Sequence, residues 1–469
     1  MKGARIRLGL RLALLLPFCA PLSVSLAALP SYSLEEAVAL AQTHNLDIAI
    51  ARKKLEAARG GVIEARSGYL PAVISNGIYR KREQQETTRL RSNDYNASVR
   101  VLQNIYTGGA VSSATAIARS NYEKQEEDLR AVTDRVTMDV RVAFYGLLVN
   151  RAKVTVQEQS LDVFREELKT QRERLSAGMV GELNVRRAEV AVANAEPELI
   201  DAQTQLRLSY LRLAELFGID SRTDASPFEI AGQLQYLARH PDLNECLARA
   251  VLDRPEIRSR ELDIAIEQEQ LKVDRSETRP QVQVFAGYEA YNERDPDLGR
   301  EFNHGYIVGV NASWHIFDGF ATRGRMDATQ ARRDAAMHAL DAAKLAVESE
   351  VRSAFLDLQQ SDRIIEAETK NVQTADESLE IAKENLNAGI GTQLDILQAA
   401  ADVTRTRTTR LNAIYLHNVA LAGLARACGG DSGSFGFEQQ ALRAADPNRE
   451  RAERRMFEVA RPPAMLKQK

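Results

Sequence analysis

Two stretches of this chain carry the same seven-residue apolar repeat in the same register. Val140, Leu147, Val154, Leu161, Leu168 and Leu175 form one series, and Val351, Leu358, Ile365, Val372, Leu379 and Leu386 form the other, each position being its counterpart plus 211. The same offset carries Ala143-Phe144 onto Ala354-Phe355, Ala177-Gly178 onto Ala388-Gly389 and Gly218 onto Gly429. A register held that long without a gap marks an internal duplication. A heptad repeat also asks each helix to supercoil against a neighbour. Three residues on from most of these positions stand small side chains, Ala354, Ser361, Ala375 and Ala382, so helix axes come close along a thin apolar seam. One hairpin alone buries little. Helix from about residue 110 to 176 extends on the order of 100 Å at 1.5 Å per residue, which makes a rod and not a globular core.

A repeat of about 200 residues turns a length of 469 into one elongated unit. The net charge of −3, with charges of both signs interleaved, offers no argument for a nucleic-acid partner. Residues 1–27 read as a secretory signal, with Lys2, Arg5, Arg7 and Arg11 ahead of an apolar run and Ser25-Leu26-Ala27 as the cleavage site. Phe18 beside Cys19 argues against a lipid-modified start. Loss of this segment leaves Cys246 and Cys428, whose spacing proposes no disulfide. No other stretch reaches the 18 or so apolar residues of a spanning helix, so any membrane crossing must use strands.

Ser33-Leu-Glu-Glu36 is a capping box that opens a helix running to about Arg66, and Asp242 opens its partner, which runs to about Glu277. The offset in this part is 209. A proline follows each helix, and then the apolar period changes to two. Strand pairs are expected at about 71–83 with 93–106, and at about 280–291 with 304–317. The loops within each pair are charged, and the change of offset from 209 to 211 falls inside the hairpin. Of 27 aromatic residues, 12 lie between 67 and 107 or between 280 and 320, under a fifth of the chain. That clustering favours membrane-interface belts, with Tyr79, Tyr95, Tyr288, Tyr306 and Trp314 as candidates. Four strands cannot close a barrel, and an open edge cannot sit in lipid. The barrel is therefore shared: two chains supply eight strands and three supply twelve.

Residues 28–218 and 242–429 make the two repeats, joined by a linker at 219–241, and a polar tail at 430–469 reads as mostly disordered, with a short helix considered at 448–459. Pro197 is expected to kink the return helix of repeat 1. The six His residues form no helical i, i+4 pair, and the methionines form no stepping series. There is no phosphate loop, nucleophile elbow or paired-acid arrangement, so neither an enzyme nor a cofactor is expected.

Signal segment, helix, strand pair and Gly-bent helical hairpin, the whole repeated once, resemble the TolC-type outer membrane factors of Gram-negative export systems. The motifs that carry this are Leu386-Asn-Ala-Gly389-Ile-Gly-Thr392-Gln-Leu-Asp395, Leu175-Ser-Ala-Gly178 with Leu183-Asn184-Val185, and Ile316-Phe-Asp-Gly319 with Ile105-Tyr-Thr-Gly108. The resemblance implies a mainly α protein with a membrane β-barrel portion: a homotrimer with a twelve-stranded barrel in outer-membrane lipid and a twelve-helix periplasmic tunnel. It further implies a passive exit duct, serving tripartite efflux or type I secretion. Its hairpin tips open on docking of a periplasmic adaptor, which links it to an inner-membrane pump of the resistance-nodulation-division or ABC type.

By the same resemblance Asp395 matches an acidic aperture position, with Asn184, Thr392 and Gln398 around it. A helix N-terminal carboxylate that serves the turn is the other reading of Asp395. Gly391 stands where some members carry a basic locking residue, so their salt-bridge lock is not carried over. Arg174, Ser176, Gly178, Met179, Gly389 and Ile390 are the candidates for adaptor contact, against a plain turn-forming role for the glycines. The alternative from another class is an exported periplasmic coiled-coil adaptor or scaffold.

Overall fold

The computed structural model describes residues 30–81, 93–219, 228–236, 238–292 and 302–430. The expected signal segment, hairpin-loop tips and C-terminal tail lie outside the described residues, as does much of the first half of the linker. The chain is mostly helical. Two helices of 67 residues, α3 (Ala110–Ser176) and α7 (Ala321–Asn387), each turn back into one of 35, α4 (Glu182–Leu216) and α8 (Gln393–Ala427). All four pairs of bounds differ by 211. Burial along the heptad series fades toward the bends. Val140 and Leu147 are fully closed, whereas Leu175 is 37% exposed. Small residues line the seam as expected, with Ser361, Ala375 and Ala382 buried. Pro197 sits inside α4, where it has no N–H to give to the carbonyl four residues back, and the helix runs on through it to Leu216.

The helix expected from Ser33 to Arg66 is two helices, α1 (Leu34–His44) and α2 (Leu46–Ser67). The capping box at Ser33 is present, but Asn45 leaves the helical conformation at ψ 133 and its Oδ1 accepts from the amides of Asp47 and Ile48. Repeat 2 breaks at the same place, between α5 (Leu243–Asp253) and α6 (Pro255–Ser276). There Pro255 occupies the first helical position, where its missing N–H costs nothing.

Strands β2 (Ala72–Lys81), β3 (Asn93–Tyr106), β5 (Gln281–Asn292) and β6 (Phe302–Ser313) form one antiparallel sheet in the order β2-β3-β5-β6. Ala72 pairs with Leu102 and Gln281 with Ser313, so the offset is 209 for the first strand of each hairpin and 211 for the second. Strand β6 ends at Ser313, short of the expected 317, because the residue opposite Trp314 is Pro280, which has no N–H to give. Trp314 instead donates its indole N–H to the Thr278 carbonyl at 3.0 Å.

The linker is no loose tether. Its strand β4 (Glu229–Ile230) runs parallel to β1 (Ser31–Tyr32), and Phe228 is wholly buried against Phe217, with ring centroids 5.3 Å apart. Further on, the Gln235 carbonyl accepts from Asn418, and the Tyr236 hydroxyl donates to Asp362 at 3.1 Å.

Candidate functional site

Pairing in the sheet decides which side chains share a face, because residues directly opposite point the same way. One face collects Val73 and Tyr79 from β2, Tyr95, Ala97, Val99 and Val101 from β3, Val282, Val284, Ala286 and Tyr288 from β5, and Tyr306, Val308 and Val310 from β6. Tyr306 is 86% and Val308 72% exposed, so this apolar face is open. The other face is largely polar, with Asn96, Ser98, Gln283, Asn303 and Asn311, and Arg100 paired with Glu289 at 2.9 Å. On that face the Phe285 ring lies over Gly309, directly opposite, where a Cβ would stand 2.6 Å from the ring.

The five candidate aromatics fall in three rows. Tyr79 and Tyr95 are directly opposite with rings 5.0 Å apart, and Phe302 continues that row 6.1 Å from Tyr95. Tyr288 and Tyr306 pair four residues further in, so they lie nearer mid-sheet. Trp314 follows the strand at the helical end. From Asn292 to Val282 along β5 is about 33 Å of strand, or about 25 Å normal to a bilayer at a tilt of roughly 40°.

At the far end of the rod the two bends lie side by side. Both are Schellman turns: Met179 N–H donates to the Arg174 carbonyl at 2.8 Å and Ile390 N–H to that of Asn385 at 3.0 Å. Gly178 and Gly389 take φ of +70 and +78, which explains glycine at both without any further role. Nothing stands within 4 Å of a Cβ at either. Met179 and Ile390 are 74% and 80% exposed, the most prominent apolar side chains of the tips. Ser176 turns its hydroxyl back to Glu173, and Arg174 reaches Asn387 of the other hairpin at 3.5 Å.

Asp395 closes a capping box: its Oδ2 accepts from the amide and the hydroxyl of Thr392, each at 2.8 Å. Those two hydrogen bonds hold its carboxyl below the usual range. Repeat 1 has no such box. There Gly181 is the N-cap and Asn184 occupies the matching position. Gln398 is exposed. Gly391 is closely packed, since a Cβ there would lie 2.9 Å from that of Asn385; a basic side chain does not fit without moving the turn.

Gln393 is the tip residue that sequence reasoning missed. It is 4% exposed, and its Nε2 donates to the Asn184 carbonyl at 3.0 Å, tying α8 to α4. Two turns up α3, Gln171 donates to the buried Glu167 at 2.7 Å, and burial pushes that carboxyl up.

The helices have the same open ends as the sheet. Helix α3 packs against α2 and α4 on one side and α6 and α8 on the other, and α7 packs against α5, α6 and α8. The outer flanks carry exposed apolar residues: Ile63, Val190 and Ile200 on one edge, Leu345, Leu356 and Ile381 along α7. A long helical rod thus continues into an open four-stranded antiparallel sheet. The chain belongs to the outer membrane efflux protein family, whose model matches residues 37–219 and 246–430.

Among relatives, the chain is 26% identical over 290 residues to the cobalt-zinc-cadmium resistance protein CzcC of Cupriavidus metallidurans, spanning 61% of this chain and 63% of that one, just under two thirds. It is 21% identical to nodulation protein T of Rhizobium leguminosarum, over 79% of this chain and 80% of that one. The crystal structure of the Campylobacter jejuni CmeC outer membrane channel matches with a TM-score of 0.75 at 18% identity, over 90% of this chain and 88% of that one.

Proposed function

We propose that three copies of this chain form a passive exit duct: a twelve-stranded barrel in the outer membrane above a twelve-helix periplasmic tunnel. The observation that carries this is the matched pair of open edges. The sheet ends at β2 and β6, and the helical layer ends at α2 with α4 and at α7. Closing both at once needs further copies, and the family's barrel needs three. An apolar outer face with a polar inner one suits lipid outside and water within. The Tyr79, Tyr95 and Phe302 row serves as the outer aromatic belt and Trp314 as part of the inner one.

The tips are the regulated end. Met179 and Ile390, with Arg174, Ser176, Gly178 and Gly389 beside them, form the surface that a periplasmic adaptor docks on, and Asp395, Thr392, Asn184 and Gln398 surround the aperture. Three Asp395 carboxylates near one axis repel each other and attract cations. An inner-membrane pump selects the cargo upstream; relatives of the chain are named for cobalt-zinc-cadmium resistance and for nodulation.

Photo-crosslinking from Met179 and Ile390 in intact cells tests the reading. Capture of a periplasmic adaptor, together with bonds between copies of the chain, is the expected result. No self-crosslinks and only bulk periplasmic protein would sink it in favour of an exported scaffold.

A further inference from the structure

Cys246 and Cys428 stand 182 positions apart in sequence, yet the fold brings both free thiols into the same buried cluster. Cys246 lies in the first turns of α5 and Cys428 caps the C-terminus of α8. Both are closed off, at 4% and 2% exposure, in one apolar cluster with Ala250, Leu424 and Ala427. The elements that carry them are tied together close by. Arg254 donates to the Arg426 carbonyl at 3.2 Å, and a Cβ on Gly429 would lie 2.6 Å from that of Asp253. The duplication places the same two positions in one buried cluster in repeat 1. There the counterparts are Ala37 and Phe217, each wholly buried in one cluster. Juxtaposition of these two positions is thus built into each repeat, and in repeat 2 both carry sulfur.

We propose that Cys246 and Cys428 are joined by a disulfide in the mature protein, an inference that rests on the export reading above. The two thiols together give up two protons and two electrons as the S–S bond forms. The disulfide of a thiol–disulfide oxidoreductase takes up both and becomes a dithiol. An exported chain meets such an oxidant in an oxidising compartment. With neither sulfur open to solvent in the folded chain, the exchange belongs to the stage when α5 and the end of α8 are closing on each other. The bond makes nearly all of repeat 2 one covalent loop, fastened well away from the bends.

The test uses the full chain, exported and extracted in detergent from the outer membrane, with thiols capped by a maleimide under denaturing conditions before and after reduction. The expected result is no cap on either cysteine before reduction. A linked peptide pair should also appear, lighter by about 2 Da than the two reduced peptides together. Non-reducing gels should show faster migration that Cys246→Ala and Cys428→Ala each abolish. Alanine is the natural residue at the first of these positions in repeat 1, so Cys246→Ala keeps the packing. Both cysteines capped in protein taken from the outer membrane would overturn the cross-link and leave the channel reading standing. Recovery of the chain from the cytosol alone, judged by fraction markers, would overturn both.

Discussion

Gln393 donates its side-chain amide to the backbone carbonyl of Asn184 at 3.0 Å, bolting the start of α8 to the start of α4. Gln393→Leu preserves bulk but leaves a shielded carbonyl without that donor, at a cost of about 1 kcal/mol. If this bond helps to hold the tips closed, open probability in planar bilayers rises by up to about fivefold. Wild-type gating in the variant would remove the bond from any latch.

Under the proposed function Asp395 has two separable jobs, capping α8 and charging the aperture. Asp395→Asn keeps an acceptor for Thr392 and deletes the charge; Asp395→Ala deletes both. Both variants should lose cation selectivity at the periplasmic entrance, measured as a shift in reversal potential, while only Asp395→Ala should also fray the first turn of α8. Because its carboxyl is held low in the folded chain, its stabilising effect is present above the ordinary carboxylate range. It is lost as pH falls through the folded value.

Position 391 should be the least tolerant of the tip glycines to a change of size. Gly391→Arg drives a Cβ into Asn385 and the Leu386 backbone, with an expected loss of about 1–3 kcal/mol. Gly389→Asn meets no neighbour and keeps a residue type that accepts positive φ, so it should cost under about 1 kcal/mol. Thermal unfolding of the two variants gives the ranking.

Asp134, deep in α3, has its carboxyl pushed up to about 6, chiefly by burial, against the favourable field of Arg130. Its folded value lies above its unfolded one, so the folded state binds more protons between about pH 4 and 6 and stability falls as pH rises through that window. Asp134→Asn should therefore raise the melting temperature at pH 7.5 and change little near pH 4. The gain should be at most about 3 kcal/mol.

Phe320, φ +69, is the one non-glycine with positive φ among the described residues; Gly109 stands at the matching turn of repeat 1. Phe320→Gly should relieve about 1 kcal/mol of backbone strain. It should also weaken retention in lipid vesicles, because the ring is 66% exposed beside Phe317 at the sheet-to-helix junction. Unchanged retention would mean that the strain serves no membrane contact.

The long helices were legible because a heptad repeat and its copy 211 residues on need no tertiary information. The strand pairs were legible for the same reason, once period two followed Pro71 and Pro280. The break at Asn45 was not, because an asparagine between two apolar runs reads as a tolerated helix residue until its side chain is seen capping the next turn. Pro255 carried that signal in repeat 2. The linker reads as solvent-exposed punctuation, and its anchor, Phe228, packs on Tyr32, which is distant in sequence, as well as on Phe217. Gln393 was hidden similarly: its counterpart, Glu182, faces solvent, so the repeat itself argued for a surface role.

Strands β2 and β6 leave both margins of the sheet without a partner in one chain. Under the proposed trimer, a lone protomer has no stable residence in the bilayer, because each margin would carry unsatisfied amides and carbonyls into hydrocarbon. Oligomerisation and insertion then become a single event, and subunits cannot be traded between ducts afterwards. Each duct keeps for life the three chains it was born with, so a defective copy is dominant within its own duct and harmless to every other.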